Sequence, residues 1–230
     1  MTYTLIIPIY NEERTLSTLL NKLYKISNHN IEIIIVDDGS NDNTKKILSK
    51  NDIYKYIRNK INKGKGASIK KGIESAKNQN IILIDGDLEI DIENIPRLID
   101  KFERSKKDVL TGIRWDKNSN FRLEINTIGN YLINSLFNLF YSSNFNDVLC
   151  CVKILNKSLM KSLDIQSKGF SIEIETMAKL VLNKQSIEEI DIPYNRRTKG
   201  EGKKLKISDS WGIIWTMIKI KFLTKSIIQS

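Results

Sequence analysis

The sequence predicts an α/β fold with a mainly parallel sheet and a helical C-terminal tail. Three observations predict it. Apolar, β-rich runs alternate with helix-like segments through the first half, an order that calls for parallel strands with helices on both faces. One of these runs, "IEIIIVDD", is almost wholly apolar before its acids, as a strand covered on two faces should be. A polar cluster then follows each of the first four runs, at the strand ends where such sheets bind ligands.

The elements follow in order. "YTLIIPI" (3–9) reads as a strand, and residues 11–26 place Leu16, Leu19, Leu20 and Leu23 at helical spacing. Residues 31–38 form the second strand, and "SNDNTKKILSK" opens with N-cap residue types and continues as a helix. "YKYIRN" (54–59) is a short strand, "GKGASIKKGIESAK" (64–77) a helix entered through glycines, and "NIILID" (80–85) a strand. Residues 94–105 form a helix with Pro96 in its first turn. Beyond Gly112 the pattern changes: a long apolar helix or helix pair (121–141), the strand "CCVKIL", a helix at 171–183 and a strand at 186–194. A basic loop, "NRRTKGEGKKLK" (195–206), precedes the tail. Without repeat or linker, the chain reads as one domain (1–206) with a C-terminal amphipathic helix (207–230).

Bulk properties narrow the partners. The chain has 230 residues and a formal charge of +10, which favours phosphates, nucleic acid or acidic headgroups. No helix-turn-helix, zinc or RNP signature supports nucleic acid, and acids at the strand ends oppose it. The two cysteines, Cys150 and Cys151, are adjacent and are expected to be free thiols. His29 is the only histidine, so neither a Ser-His-Asp triad nor a histidine metal cluster can be built. The N-terminus lacks the basic start of a signal peptide, and no apolar run approaches the ~20 residues of a membrane span. The expectation is a cytoplasmic protein, peripheral on a membrane.

The stretch "IILIDGDLE" (81–89) carries the chemistry. Asp85 and Asp87 flank Gly86 at a strand end, where both carboxylates are expected to face one solvent-filled edge. Gly86 is expected to leave backbone space for a bulky ligand. Carboxylate oxygens hold hard divalent cations, so Mg²⁺ or Mn²⁺ against a diphosphate is the reading, with an acidic solvated turn as its bland alternative. Lys63, Gly64 and Gly66 form a Gly-rich turn at a helix start, without the spacing of a P-loop.

"LIIPIYNEE", "IIIVDDGSNDNT", "NKGKGASIKKGI" and "IILIDGDLE", in that order, resemble the inverting GT-A glycosyltransferases of family 2. "GIRW", "FRLEINTIGN", "NDVLCCVKIL", "GFSIEIE" and "RTKGEGKKL" resemble the polyprenyl-phosphate hexosyltransferases, the dolichyl-phosphate mannose synthase type. Glu89 stands where the family often has Gln, and Cys150–Cys151 where it often has a small Gly/Ser turn.

The resemblance implies transfer of a hexose, mannose or glucose, from a GDP- or UDP-linked donor to a polyprenyl (dolichyl) phosphate. It implies Pro8, Tyr10, Glu12, Val36, Asp38, Lys63, Asp85, Gly86, Asp87, Arg114, Arg197 and Lys203 at the nucleotide sugar. It implies Asp85, Asp87 and Glu89 at the metal, and Asp87, Arg114, Arg122 and Asp147 in catalysis. Arginine and lysine suit both the departing diphosphate and a phosphate acceptor. A phosphate acceptor is already an oxyanion and needs no general base. For a saccharide or protein hydroxyl acceptor, the alternative, Asp147 is the base candidate; otherwise it orients an arginine. Glu173 and Glu175 read as structural or acceptor-shell groups. A sugar nucleotidyltransferase is opposed by the lack of a Gly-rich N-terminal loop.

In the tail, Trp211, Ile214, Trp215 and Ile218 share a helical spacing with lysines nearby. From Asn195 onward nine Lys/Arg face two Asp/Glu, which favours a membrane surface over simple docking on the domain. A small membrane-protein partner is a further expectation.

Overall fold

The computed structural model describes residues 1–27, 30–49, 53–114, 125–197 and 207–228. His29, Arg122 and Lys203 lie outside them.

The first four strands are β1 (Tyr3–Ile9), β2 (Ile31–Asp37), β3 (Lys55–Arg58) and β4 (Asn80–Leu83). Between them run α1 (Glu13–Ile26), α2 (Thr44–Leu48) and α3 (Lys65–Ser75). β1 pairs in parallel with β2 on one side and β4 on the other, with Ile6 opposite both Ile34 and Leu83. After β4 come α4 (Ile95–Ser105), β5 (Val109–Ile113) and α5 (Ile125–Tyr141). β6 (Lys153–Asn156), α6 (Lys157–Ser162), α7 (Ile172–Leu182), β7 (Ile187–Asp191) and α8 (Ile207–Ile228) complete the order. The seven strands among the described residues run β3-β2-β1-β4-β6-β5-β7. β6 alone is reversed, antiparallel to β4 and to β5, while β5 and β7 are parallel. β5 and α6 add to the elements expected from sequence.

Strand alternation divides the apolar residues between two cores. Tyr3, Leu5, Ile7 and Ile9 of β1 face Leu16, Leu19 and Leu23 of α1 and Leu98 of α4. Ile6, Ile34 and Val36 face Ile69 and Ile73 of α3, in a core that continues through Phe137, Ile174 and Met177. The result is a three-layer sandwich with its loops opening at the carboxyl ends of β1, β2 and β4.

α8 docks on the domain through one side. Ile213, Met217 and Ile220 are buried in the second core, and the Tyr141 hydroxyl donates to the Met217 carbonyl at 2.8 Å. Its other side shows Trp211 at 74% and Trp215 at 67% exposure. Lys219 and Phe222 are exposed on α8 as well.

Candidate active site

A cleft of about 580 Å³ opens at these strand ends. Its acidic wall is the turn after β4, where Asp85, Asp87 and Glu89 all line the cleft. Leu88, at φ +62°, folds the turn back so that the Glu89 N–H reaches Asp87 Oδ1 at 3.0 Å. Burial, then the charges of Asp85 and Glu89, push the Asp87 carboxyl up to about 7. Asp85 is paired with Lys65 Nζ at 2.7 Å. Glu89 accepts the Tyr194 hydroxyl at 2.9 Å and the Arg197 N–H at 3.0 Å.

Among the described residues no three acidic, histidine or cysteine side chains form a ready metal cage. The donor set nonetheless fits one kind of cation. Asp87 is a carboxylate whose charge its neighbours penalise, and Mg²⁺-like ions are usually bound by one or two carboxylates together with substrate phosphates.

Gly86 lines the cleft, but its glycine character serves the interior. A Cβ there would lie 2.3 Å from Ile9 Cγ2 and 3.0 Å from Ile7 Cγ2, on the core side and not the ligand side. Gly86→Ala is expected to destabilise by about 1–3 kcal/mol through overpacking. Urea titration checks this as a lower midpoint at unchanged slope.

Further walls come from the loops after β1 and β2. Pro8, Tyr10 and Glu12 line the cleft after β1. The Glu12 carboxylate is held by Arg197, with Nη2 at 2.9 Å, and by Thr15 Oγ1 at 2.8 Å. Asp38 also lines the cleft, yet its oxygens accept the N–H groups of Lys63 at 3.0 Å and Gly64 at 2.7 Å, and Asn59 Nδ2 at 2.8 Å. Asp37 points into the protein, where Tyr56 and Arg58 donate to it.

Val36, Lys63 and Asp147 do not line the cleft. Val36 faces α3 in the second core, and Lys63 is exposed, its backbone spent on Asp38. The buried Asp147 carboxylate is gripped by Arg114, Nε at 2.7 Å and Nη2 at 2.8 Å. This geometry orients Arg114 toward the cleft, with its guanidinium 5.6 Å from the Tyr194 ring centroid. Glu175 instead holds the loop before α7, accepting the N–H groups of Gln166 and Ser167 at 2.8 and 2.7 Å.

Three residues enter beyond the sequence reading. Lys65 lines the cleft between Asp85 and Glu173, Tyr194 braces Glu89, and Lys153 sits fully buried behind Glu173. The signals were a lysine between two glycines at a helix start, and a lysine inside the apolar run "CCVKIL". Cys150 and Cys151 are both buried free thiols, and Cys150 together with burial pushes the Cys151 thiol up.

An open α/β sheet with an acidic turn at the carboxyl ends of its parallel strands is the GT-A architecture. The glycosyl transferase family 2 model matches residues 4–163, and the chain belongs to that family. An uncharacterised protein of Methanocaldococcus jannaschii is 34% identical over 181 residues, covering 73% of this chain and 77% of that protein. Dodecaprenyl-phosphate galacturonate synthase of Rhizobium johnstonii is 26% identical over 230 residues, 96% of this chain and 67% of the relative. Undecaprenyl-phosphate 4-deoxy-4-formamido-L-arabinose transferase of Shewanella sediminis is 28% identical over 209 residues, 87% of this chain; the chain spans only 61% of that relative. Among solved structures, glucosyl-3-phosphoglycerate synthase of Mycobacterium tuberculosis, crystallised with Mn²⁺, UDP and glucosyl-3-phosphoglycerate, superposes with a TM-score of 0.73. It is 17% identical, over 95% of this chain and 79% of that one.

Proposed function

We propose that this glycosyltransferase transfers a sugar from a nucleoside diphosphate sugar to a polyprenyl phosphate with inversion. One observation carries the choice of acceptor: the carboxylate suited to act as base is not available. Asp147 is locked in a fork with Arg114, and Glu12 in another with Arg197. A hydroxyl acceptor needs a base; a phosphate oxyanion does not. Its oxygen attacks the anomeric carbon, and the bond to the diphosphate breaks with its electron pair leaving on the nucleoside diphosphate. The names of two relatives, with dodecaprenyl and undecaprenyl phosphate as acceptors, support the same reading.

Asp87, with Asp85 and Glu89, would hold Mg²⁺ or Mn²⁺. A bound ion there supplies charge stabilisation to the departing diphosphate. Arg114 and Arg197 face the same space and contribute positive charge to the donor and the acceptor phosphate. Residues 1–206 form the transferase domain and α8 its membrane-facing appendage. The sugar is a hexose of the mannose or glucose type. The relatives' printed names instead give galacturonate and formamidoarabinose, so both classes belong in the donor panel.

The test offers GDP-mannose, UDP-glucose and UDP-galacturonate, radiolabelled in the sugar, with a polyprenyl phosphate and Mg²⁺ or Mn²⁺. Label in the organic phase supports the proposal and names the donor. Label transferred only to sugar or protein acceptors overturns the choice of a lipid phosphate.

A lipid acceptor requires a membrane-facing side, placed at the cytoplasmic face. No helix among the described residues is long and apolar enough to cross a membrane. On α5, Ile128, Tyr131, Leu132 and Leu139 are exposed, and on the adjoining α8 so are Trp211, Trp215 and Phe222. The same two helices line the cleft with Ile133 and Ile213. Interfacial helices bury such residues at headgroup depth while lysines meet acidic lipid. Trp211→Ser/Trp215→Ser is expected to weaken binding to phosphatidylglycerol-containing vesicles at least tenfold, read by co-sedimentation, without lowering the melting temperature.

A further inference from the structure

Four charged side chains stand in line, Asp85, Lys65 and Glu173 on the cleft wall and Lys153 behind it. Lys153 is fully buried; its Nζ donates to the Cys150 carbonyl and to Glu173 Oε2, the latter at 2.6 Å. Glu173 Oε1 meets Lys65 Nζ at 2.7 Å, and Lys65 reaches Asp85 at 2.7 Å. The order is Lys153, Glu173, Lys65, Asp85, from the interior to the acidic turn.

This line is a costly way to fill space. Burying a Lys–Glu pair is often no more stabilising than an apolar pair of the same volume. Lys65 is also the first residue of α3, where the helix dipole disfavours a cation. The backbone is shaped to allow it all the same. A Cβ on Gly64 would lie 2.4 Å from the Lys168 carbonyl oxygen, and one on Gly66 2.2 Å from that of Ser167. Only glycine lets the start of α3 abut the loop before α7, and that approach brings Lys65 to Glu173. One ammonium is thus shared by two carboxylates, one of them in the turn that meets the donor.

We propose that Glu173, backed by Lys153, is a positioning residue for sugar transfer: by sharing Lys65 it keeps the Lys65–Asp85 pair exchangeable, so that Asp85 is released to the donor's cation and Lys65 to its diphosphate. This rests on the transferase reading above. Without Glu173, Lys65 pairs with Asp85 alone and withholds both groups.

Lys153→Met/Glu173→Gln removes one charge of each sign at nearly constant volume. The expected result is a kcat 10–100-fold lower at saturating donor, the range for supporting residues of a metal site. Calorimetry with Mn²⁺ and UDP or GDP should show nucleotide affinity weakened by a similar factor. Adding Lys65→Met should restore part of that affinity, by freeing Asp85 while losing the lysine's own contact with the diphosphate, but not kcat; a merely structural role moves neither quantity per folded molecule. Unchanged kcat and affinity in the double variant overturn the inference. If that variant melts below the assay temperature, Lys65→Gln carries the test, since it leaves Lys153–Glu173 paired. The same fall in kcat is then expected, and an unchanged kcat overturns the inference. Wild-type protein that binds Mn²⁺ and nucleotide but transfers no sugar to the lipid removes the polyprenyl-phosphate reading instead.

Discussion

Asp87→Ala is expected to reduce sugar transfer by about a hundred- to a thousandfold, the scale on which a group serving the leaving charge is felt. Asp87 lies between Asp85 and Glu89 in the turn after β4, fixed by the Glu89 N–H. Asp85 meets Lys65, and Glu89 meets Tyr194 and Arg197, from either side of Asp87, so neither carboxylate reaches the place Asp87 fills. Asp87→Asn keeps the volume and is expected to be nearly as inactive, because the loss is of charge. Both variants should bind nucleotide without the gain that Mn²⁺ gives the wild type. In metal-free buffer at neutral pH, Asp87→Asn should also melt above the wild type. Burial and two flanking carboxylates push the native carboxyl from 3.8 to about 7, so its ionisation costs the fold stability as pH rises through that range. Scanning calorimetry alongside the transfer assay would show the two effects moving in opposite directions.

Glu173→Gln is expected to destabilise the fold by about 3–5 kcal/mol, the cost of breaking one partner out of a buried ion pair. Lys153 would keep the Cys150 carbonyl but lose its counter-charge. At about 2–4 °C per kcal/mol for a chain of this size, the melting temperature should fall by roughly 10 °C. Burial alone would push the Glu173 carboxyl up; Lys153 and Lys65 override it and hold it at about 2 instead of 4.5. A folded value below the unfolded one means stability that is fully present above pH 4.5 and is lost as pH falls toward 2. That difference corresponds to roughly 3 kcal/mol. The stability curves of wild type and variant should therefore lie apart at neutral pH and converge in acid. Curves that stay parallel from pH 6 to pH 3 would show that Glu173 is not held as an ion. The Lys153→Met/Glu173→Gln protein should regain most of the lost stability.

What the sequence made legible was local. β1 to β4 are apolar runs with their helices beside them, and their polar ends identify which loops share the cleft. β5 escaped because Val109–Ile113 has only five residues, and its partners lie at 153–155 and 187–191, far along the chain. Its strand character comes from pairing and not from its own pattern. At the site, motif position named Glu12, Asp38 and Asp147 as polar groups near a ligand, but their carboxylates are turned to Arg197, to the Lys63–Gly64 backbone and to Arg114. Which side chain spends its charge on the protein, and which keeps it for a ligand, depends on contacts 25 or more residues apart and is invisible to local spacing. Lys65 shows the reverse case. The flanking glycines marked it, but its partners come from the turn after β4 and from α7, which only the folded chain brings together.

The reversed strand β6 also sets a schedule for synthesis. β1, β2, β3 and β4 pair among residues 3–83, so they can assemble as the nascent chain emerges. β4 then presents a bare edge, and the next strand made, β5, does not fill it. That place belongs to β6, at residues 153–156, which seats β5 on its far side. At ribosomal speeds of about 5–20 residues per second, the edge waits for several seconds. Its sequence, "NIIL", carries three apolar residues and no charge, the kind of strand that recruits other chains. Fragments ending between residues 84 and 152 should therefore aggregate on release, and a ribosome stalled in that interval would hold the chain at its most adhesive point.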